Sequence, residues 1–276
     1  LLNWTINWSH HFMFFLENTY RSLRMLRVPY VISGSGKTVP EDTGTYPKSA
    51  LVTTDTEIES QSMVDYLCGC GHKRIAFITS GDEGLGRCHL NGYKRSLEKN
   101  GLEYDEKLII RLKPGKRIYT IENGYNCTCE LLKSGVDFSC IYAISDTLAV
   151  GACRAIIDSG KRVPEDYCVA GADGQDIAEY YHPSITTLKY PRVETALQSV
   201  RTLFDLIDRK KVVKRQILSG SLIGRGCTRK REGVVVAIDY IEKESVKIFE
   251  NDYHALQSAQ IFLQIFLFSY FLDGFL

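Results

Sequence analysis

The chain has 276 residues, of which 24% are charged and 44% are hydrophobic, a composition that excludes a disordered or fibrous protein. Lys and Arg number 34 and Asp and Glu 33, so the formal net charge is +1. A chain that binds duplex DNA by itself usually carries a basic surplus. The charge therefore argues against a self-sufficient DNA-binding protein, although it is compatible with one lobe of such a protein.

The first predicted elements are two strands, at residues 28–32 and 50–53, followed by a helix over residues 57–68. Residues 1–16 are rich in Trp and Phe, but they have no basic segment and no small-residue cleavage site. A secretory signal is therefore not supported.

Between residues 74 and 171, short apolar runs alternate with amphipathic stripes. Strands are predicted over residues 74–79, 107–112, 139–144 and 167–171. The helices between them carry Leu90, Tyr93 and Leu97, span residues 122–133, and begin at Ser145-Asp146, a good N-cap pair. This alternation predicts an α/β fold in which a parallel sheet has helices on both faces.

The pattern continues with a short helix near residues 177–181, a strand over 185–188, a helix over 193–208 and a single strand over 216–223. In the long helix, Val193, Leu197, Val200, Phe204 and Ile207 form one apolar stripe, which we expect to pack on a sheet. The βα pattern is then lost, and we predict a divergent, mainly helical tail over residues 229–276. Its apolar run over 261–271 is too short to span a bilayer, which takes about 20 residues.

The nine cysteines form no disulfide framework, and several lie within apolar runs, so a reducing cytoplasm is the simplest compartment. The spacing Cys68-x-Cys70-x-His72 is compatible with a zinc site, but glycines beside both cysteines favour a helix end. We expect no metal and no cofactor.

Five short motifs occur in one order between residues 27 and 229. They are GHKRIAFI at 71–78, NGYKRSL at 91–97, AISDTLAVG at 143–151, RVPED at 162–166 with VAGAD at 169–173, and PSITT at 183–187. Each motif is weak alone, but together and in this order the chain resembles the lactose-repressor type (LacI/GalR) of transcriptional regulators.

The resemblance implies a two-lobed, periplasmic-binding-protein-like type I fold around a sugar-sized cleft. Residues 1–56 would belong to an N-terminal lobe, to which residues 188–212 return. Residues 57–187 and 213–228 would form a C-terminal lobe. The family's helix-turn-helix domain and first two βα units are not recognisable before residue 28. We therefore expect an incomplete N-terminal lobe, with DNA binding only through a domain that is not present in this chain.

The resemblance also implies an effector site at the carboxyl ends of the strands. Asp173 matches an acidic residue that accepts hydrogen bonds from effector hydroxyls; from the residues alone, a helix N-cap is an equal alternative. Tyr119 matches an aromatic residue that stacks on the effector ring, the alternative being a tyrosine at the edge of the core. Asp55, at the first crossover, is a weaker contact candidate.

Four further candidates depart from the family or have a second interpretation. Ser145 occupies the position of a ligand-contacting Asn, and Asp146 follows as its acidic partner, although helix capping is the stronger interpretation for Asp146. His89 stands where the family usually has an Arg that binds effector oxygens with two N–H groups; Arg87 is a candidate substitute.

No catalytic motif is present. The chain lacks a Gly-x-Ser-x-Gly elbow and a His-Glu-x-x-His pair, and the SGSGKT segment at 33–38 lacks the first glycine of a phosphate-binding loop. We therefore predict a non-enzyme: the effector-binding and dimerisation domain of a cytoplasmic LacI-type regulator, a homodimer without membrane contact that binds a sugar or related molecule and controls DNA binding allosterically.

Two alternatives remain at this point. The same lobes could be the ligand-sensing input of another signalling protein with a downstream output module, an interpretation that the 229–276 tail motivates. A solute-binding protein for sugar transport would fit the fold, but not the nine cysteines or the missing export signal.

Overall fold

A computed structural model describes residues 29–35, 48–113, 115 and 117–228 of the chain. The predicted helical tail over residues 229–276, the segment before residue 29 and the second half of the SGSGKT segment lie outside these described residues.

The described elements follow the predicted order. The strands are β1 (Tyr30–Ser35), β2 (Ser49–Thr54), β3 (Ile75–Thr79), β4 (Ile109–Arg111), β5 (Cys140–Ala143), β6 (Cys168–Ala170), β7 (Thr187–Lys189), β8 (Arg215–Leu218) and β9 (Ser221–Ile223). The α-helices are α1 (Thr56–Gly69), α2 (Gly84–Lys99), α3 (Ile121–Lys133), α4 (Asp146–Asp158), α5 (Asp176–Tyr180) and α6 (Arg192–Ile207).

The larger sheet is parallel, with the strand order β4–β3–β5–β6. A parallel bridge between Ala170 and Thr186 continues the pairing beyond β6. The apolar strand residues, among them Phe77, Ile141 and Val169, are fully buried, as expected for a parallel sheet that is covered on both faces. The predicted α/β fold with parallel sheets is therefore confirmed.

The helices beside this sheet pack in two pairs, α1 with α2 and α3 with α4. Motif glycines allow the close approach within each pair. A Cβ atom at Gly92 would overlap the carbonyl oxygen of Glu57, and one at Gly151 would overlap that of Ile121. Two short sequence motifs thus have a packing explanation, because a larger residue at these positions would push the helices apart.

The smaller sheet is also parallel and has the strand order β1–β2–β8. Every residue of β2 is buried, and α6 packs against β1 and β2. The apolar stripe predicted for α6 is only partly covered by the described residues, because Val193, Phe204 and Ile207 remain exposed while Leu206 is buried.

The single strand predicted over residues 216–223 is wrong. The segment forms two strands that join different partners: β8 pairs with β2 in the smaller sheet, whereas β9 pairs antiparallel with β7. Residues 215–218 therefore belong to the sheet of β1 and β2, although the sequence placed residues 213–228 in the other lobe. The chain leaves the smaller sheet at Ser219 and Gly220.

Candidate ligand-binding site

The carboxyl ends of β3, β5 and β6 meet at one edge of the larger sheet, because these strands are parallel and neighbouring. Ser145 and Asp173 lie in the segments that follow β5 and β6, and Asp146 is the first residue of α4. Open α/β sheets bind ligands at this edge, close to the point where the strand order reverses. The strand order places that reversal between β3 and β5.

Asp173 has an unusual backbone conformation, with φ at 107°. Three contacts hold it: its N–H donates to the Leu188 carbonyl (2.9 Å), its carbonyl accepts from Arg192 Nη2 (3.1 Å), and its Oδ2 accepts from Gln175 Nε2 (3.1 Å). Such a conformation costs a non-glycine residue roughly 1–3 kcal/mol and is found most often at ligand and active sites.

Helix capping does not explain Asp173. The helix ahead, α5, has Gln175 at its N-cap, and no side chain caps it. The N-cap alternative for Asp173 is therefore wrong. Its carboxylate is partly buried and is positioned by the strained backbone at the carboxyl end of β6.

Asp146 is fully buried and joins three segments of the chain. Its Oδ1 accepts from Thr187 Oγ1 (2.6 Å) and its Oδ2 from the Gln175 N–H (2.7 Å). Burial raises the pKa of this carboxyl to about 6, while the two hydrogen bonds act in the opposite direction. The carboxyl thus ties the start of α4 to β7 and to the loop that carries Asp173.

The helix cap of α4 is Ser145, not Asp146. Ser145 Oγ accepts from the Leu148 N–H (3.3 Å) and shares a hydrogen bond with Thr147 Oγ1 (3.0 Å). The preference for Asp146 as the cap is therefore wrong, because its side chain turns away from its own helix toward Thr187. Ser145 is itself buried, so its hydroxyl serves mainly to order this turn.

Tyr119 lies next to this turn. Thr147 Oγ1 donates to the Tyr119 carbonyl (3.1 Å), and Thr120, the N-cap of α3, follows directly. The Tyr119 side chain is 42% exposed. An aromatic face that remains accessible beside a polar turn can pack on the C–H face of a sugar.

The structure does not bring His89 and Arg87 together. His89 is buried, and its Nδ1 shares a hydrogen bond of 3.3 Å with the Tyr142 hydroxyl. Burial lowers the pKa of His89 to about 4, so the ring is neutral at pH 7 and supplies no positive charge. Arg87 is exposed on α2. Residues two positions apart on a helix do not share a face, so neither residue reproduces the forked cation of an Arg at position 89.

Asp55 caps α1. Its Oδ1 accepts from the N–H groups of Glu57 (3.1 Å) and Ile58 (3.2 Å). The carboxylate therefore has a local structural role at the first crossover, as expected for an Asp directly before a helix.

Sequence reasoning missed Glu59, a buried carboxyl on α1 that is only 5% exposed. Its Oε1 accepts from the Gly220 N–H (3.2 Å), on the segment where the chain leaves the smaller sheet. Burial raises the pKa of Glu59 to about 7. Burial raises the pKa of the Tyr142 hydroxyl on β5, and the negative charges of Glu59, Asp173 and Asp146 act in the same direction. No motif marks Glu59.

The described residues contain no group of three metal-ligating side chains and no helix that is long and apolar enough to cross a membrane. The candidate site instead has a carboxylate acceptor, on Asp173, and an accessible aromatic face, on Tyr119. This set of groups suits a ligand that is rich in hydroxyl donors.

The parallel sheets and the acceptor-rich strand edge define a periplasmic-binding-protein-like domain, and the chain matches the family described as a periplasmic binding protein-like domain over residues 64–228. The chain belongs to this family, in the form that LacI-type transcriptional regulators carry.

The similar proteins are regulators. The HTH-type transcriptional regulator MalR of Clostridium butyricum is 40% identical over 144 residues, which are 52% of this chain and 42% of MalR. The crystal structure of the Escherichia coli repressor ascG superposes with a TM-score of 0.65 and 27% identity, covering 77% of this chain and 73% of that one.

A second similar structure contains a sugar. The complex of the regulator CelR with cellobiose has a TM-score of 0.62 and 31% identity, covering 72% of this chain and 59% of that one. The chain spans about half the length of the curated relatives that it matches.

Proposed function

We propose that this chain is the effector-binding core of a LacI-type transcriptional regulator, and that its effector is a sugar or a related polyhydroxylated molecule. The observation that carries the proposal is Asp173, a carboxylate held at φ 107° at the carboxyl end of β6. Strain of this kind persists where the surrounding structure enforces it, most often at a ligand site.

The neighbouring groups support the same chemistry. Asp173 is an acceptor for hydroxyl donors, and Tyr119 offers an accessible ring. Ser145 and Asp146 are supporting residues, since their side chains order the turn and tie it to the Asp173 loop. The neutral, buried His89 favours an uncharged effector over an anionic one, because it provides no cation where the family usually has an Arg.

The regulatory part of the proposal concerns the longer protein. Effector binding would shift the equilibrium between two arrangements of the lobes and thereby change the DNA affinity of an attached helix-turn-helix domain. A homodimer in the cytoplasm is the assembly that we propose for it. The relatives' names as HTH-type regulators support this proposal.

A thermal-shift panel tests the effector class. Cellobiose, glucose, ribose and glucose 6-phosphate would each be added to the wild type and to Asp173→Ala. A ligand that binds only the folded chain raises the melting temperature. We expect at least one neutral sugar to raise that of the wild type but not that of Asp173→Ala, whereas Glu98→Ala, at an exposed carboxylate on α2, keeps the response. A response to the phosphate ester alone would overturn the proposed effector class.

A further inference from the structure

The thiols of Cys153 and Cys227 are in contact, although 74 residues separate them in the chain. Their sulfur atoms lie 3.7 Å apart, and both side chains are completely buried. All nine cysteines lie within the described residues and are free thiols. A buried pair at this distance is close enough for the two sulfurs to react with each other after a small movement.

Hydrogen bonds fix the backbone of both cysteines. Cys153 lies within α4, whereas Cys227 follows β9 in a segment that is hydrogen-bonded to β6 and to the residues before β7. The Cys227 N–H donates to the Ser184 carbonyl (2.8 Å), and its carbonyl accepts from the Val169 N–H (3.1 Å). The contact between the thiols is therefore a consequence of the fold and not of a loose chain end.

The geometry permits a disulfide. A disulfide needs a sulfur–sulfur distance of about 2.05 Å. A change of rotamer about the Cα–Cβ bond moves a sulfur atom by about 3 Å, which is more than the gap that must close. The Cys227 thiol now donates to the Pro183 carbonyl (3.0 Å), a weak hydrogen bond that such a rotation would break.

A second pair of cysteines is close in the sheet but faces elsewhere. Cys140 and Cys168 are register partners on β5 and β6. The Cys140 thiol, however, contacts the Ile141 carbonyl (3.7 Å), and the Cys168 thiol contacts the Pro164 carbonyl (3.6 Å). The sulfurs of Cys140 and Cys168 therefore contact different backbone carbonyls, whereas the sulfurs of Cys153 and Cys227 contact each other.

We propose that Cys153 and Cys227 form a peroxide-oxidation site that closes to an intramolecular disulfide. One sulfur, as thiolate, attacks a peroxide oxygen; the O–O bond breaks, leaving a sulfenic acid and a hydroxide that takes up the thiol proton as water. The second sulfur attacks the sulfenic sulfur, the S–O bond breaks, and a second water leaves. Two thiols and one hydrogen peroxide give one disulfide and two waters.

The surroundings make this reaction slow and selective. The hydrogen bond to Cys227 and burial both raise the pKa of the Cys153 thiol, which is therefore protonated at neutral pH. Because both thiols are buried, the reaction requires local opening of the segment around Cys227 to admit peroxide. The disulfide would then hold that segment on α4 and close a long loop, which restricts the unfolded chain and raises the melting temperature.

Peptide mapping of the intact chain tests the proposal. The protein is incubated with hydrogen peroxide, its remaining thiols are alkylated, and it is digested without reduction for mass spectrometry. We expect a cross-linked pair of peptides containing Cys153 and Cys227, whose mass is two hydrogens less than the sum of the two peptide masses. The melting temperature of the oxidised protein should be several degrees higher. Addition of a reducing agent should reverse both changes.

Cysteine variants test whether the effect of peroxide depends on Cys153 and Cys227. Cys227→Ser and Cys153→Ala should each lose the peroxide-induced rise in melting temperature, whereas Cys88→Ser, at a buried cysteine on α2, should keep it. Cross-linking of Cys140 with Cys168, or oxidation of Cys153 and Cys227 only to sulfinic acids, would overturn the proposal.

Discussion

Asp173 combines a strained backbone with a carboxylate at the sheet edge where open α/β folds generally bind ligands. A side chain is rare at φ 107°, a conformation that glycine adopts readily. The adjacent Gly174 also has a positive φ and lies against Lys189, so the loop is tightly constrained. We interpret the retention of an Asp here as stability given up for ligand binding.

Substitution of Asp173 tests that interpretation. Asp173→Gly removes the strain together with the carboxylate, whereas Asp173→Ala removes only the carboxylate. We expect the free energy of unfolding of Asp173→Gly, measured by urea denaturation, to be higher than that of Asp173→Ala by about 1 kcal/mol or more. Equal free energies of unfolding for the two variants would contradict backbone strain at Asp173. Both variants lack the carboxylate, so neither should bind the effector.

Glu59 shows what residue patterns cannot reveal. Its neighbours on α1 follow an ordinary helical pattern, and its interest comes from Gly220, which is 161 positions away in the chain. Such a contact depends on where the crossover segment runs, and no local pattern predicts it. Asp146 is similar: the sequence favoured a cap, but its partners Thr187 and Gln175 come from distant segments.

The raised pKa of Glu59 predicts a pH effect on stability. This carboxyl ionises near pH 7 in the folded chain but near pH 4.5 when unfolded, so the folded chain binds more protons between these values. Its contribution to the free energy of unfolding is therefore full below pH 4.5 and lost as the pH rises through 7.

Glu59→Gln isolates this effect from other titrating groups, including His89. Relative to the wild type, the variant should gain stability between about pH 5 and about pH 8, as urea denaturation at both pH values would show. Glu98→Gln, at an exposed position on α2, serves as the control and should follow the wild type. If the difference in free energy of unfolding between Glu59→Gln and the wild type did not change with pH, the raised pKa of Glu59 would be contradicted.

At the scale of elements, the helix pairs depend on glycine contacts. The Gly92 Cα faces the backbone of α1, where an added methyl group would meet Glu57 and Gln61. Gly69, at the end of α1, has no atom within 4 Å of an added Cβ. The two glycines therefore form a matched pair for substitution.

We expect Gly92→Ala to lower the free energy of unfolding by about 1–3 kcal/mol, because α1 and α2 must separate. Gly69→Ala should change it by less than about 0.5 kcal/mol. Thermal or urea denaturation of both variants checks the prediction. Equal losses of stability in the two variants would show that Gly92 is not needed for the close packing of α1 on α2.

Most elements could be predicted from the sequence, because buried parallel strands and amphipathic helices have strong local patterns. The exception at residues 216–223 is informative. The apolar run looks like one strand, but Ser219 and Gly220 interrupt it, and its halves pair with β2 and β7. Only the positions of those distant strands decide where one strand ends and the next begins. The partly exposed stripe of α6 likewise depends on which partners cover it.

At the scale of the whole molecule, five ordered motifs implied the family, and the match over residues 64–228 confirms it. The motifs place Asp173, Asp146 and Ser145 in neighbouring loops, which parallel pairing then brings to one edge. The effector itself cannot be predicted in this way, since the motifs identify the family and not its ligand, and His89 is a neutral, buried ring where the resemblance implies an Arg.

Calorimetric titration with the neutral sugar that gives the largest thermal shift tests the central claim most directly. We predict one binding event for the wild type and for Glu98→Gln. For Asp173→Asn, which keeps the size of the side chain but loses its charge and one acceptor, we predict affinity at least about tenfold weaker, because each charge-assisted hydrogen bond contributes about 1.5–3 kcal/mol. Unchanged affinity in Asp173→Asn, with the wild type binding normally, would contradict the assignment of this site.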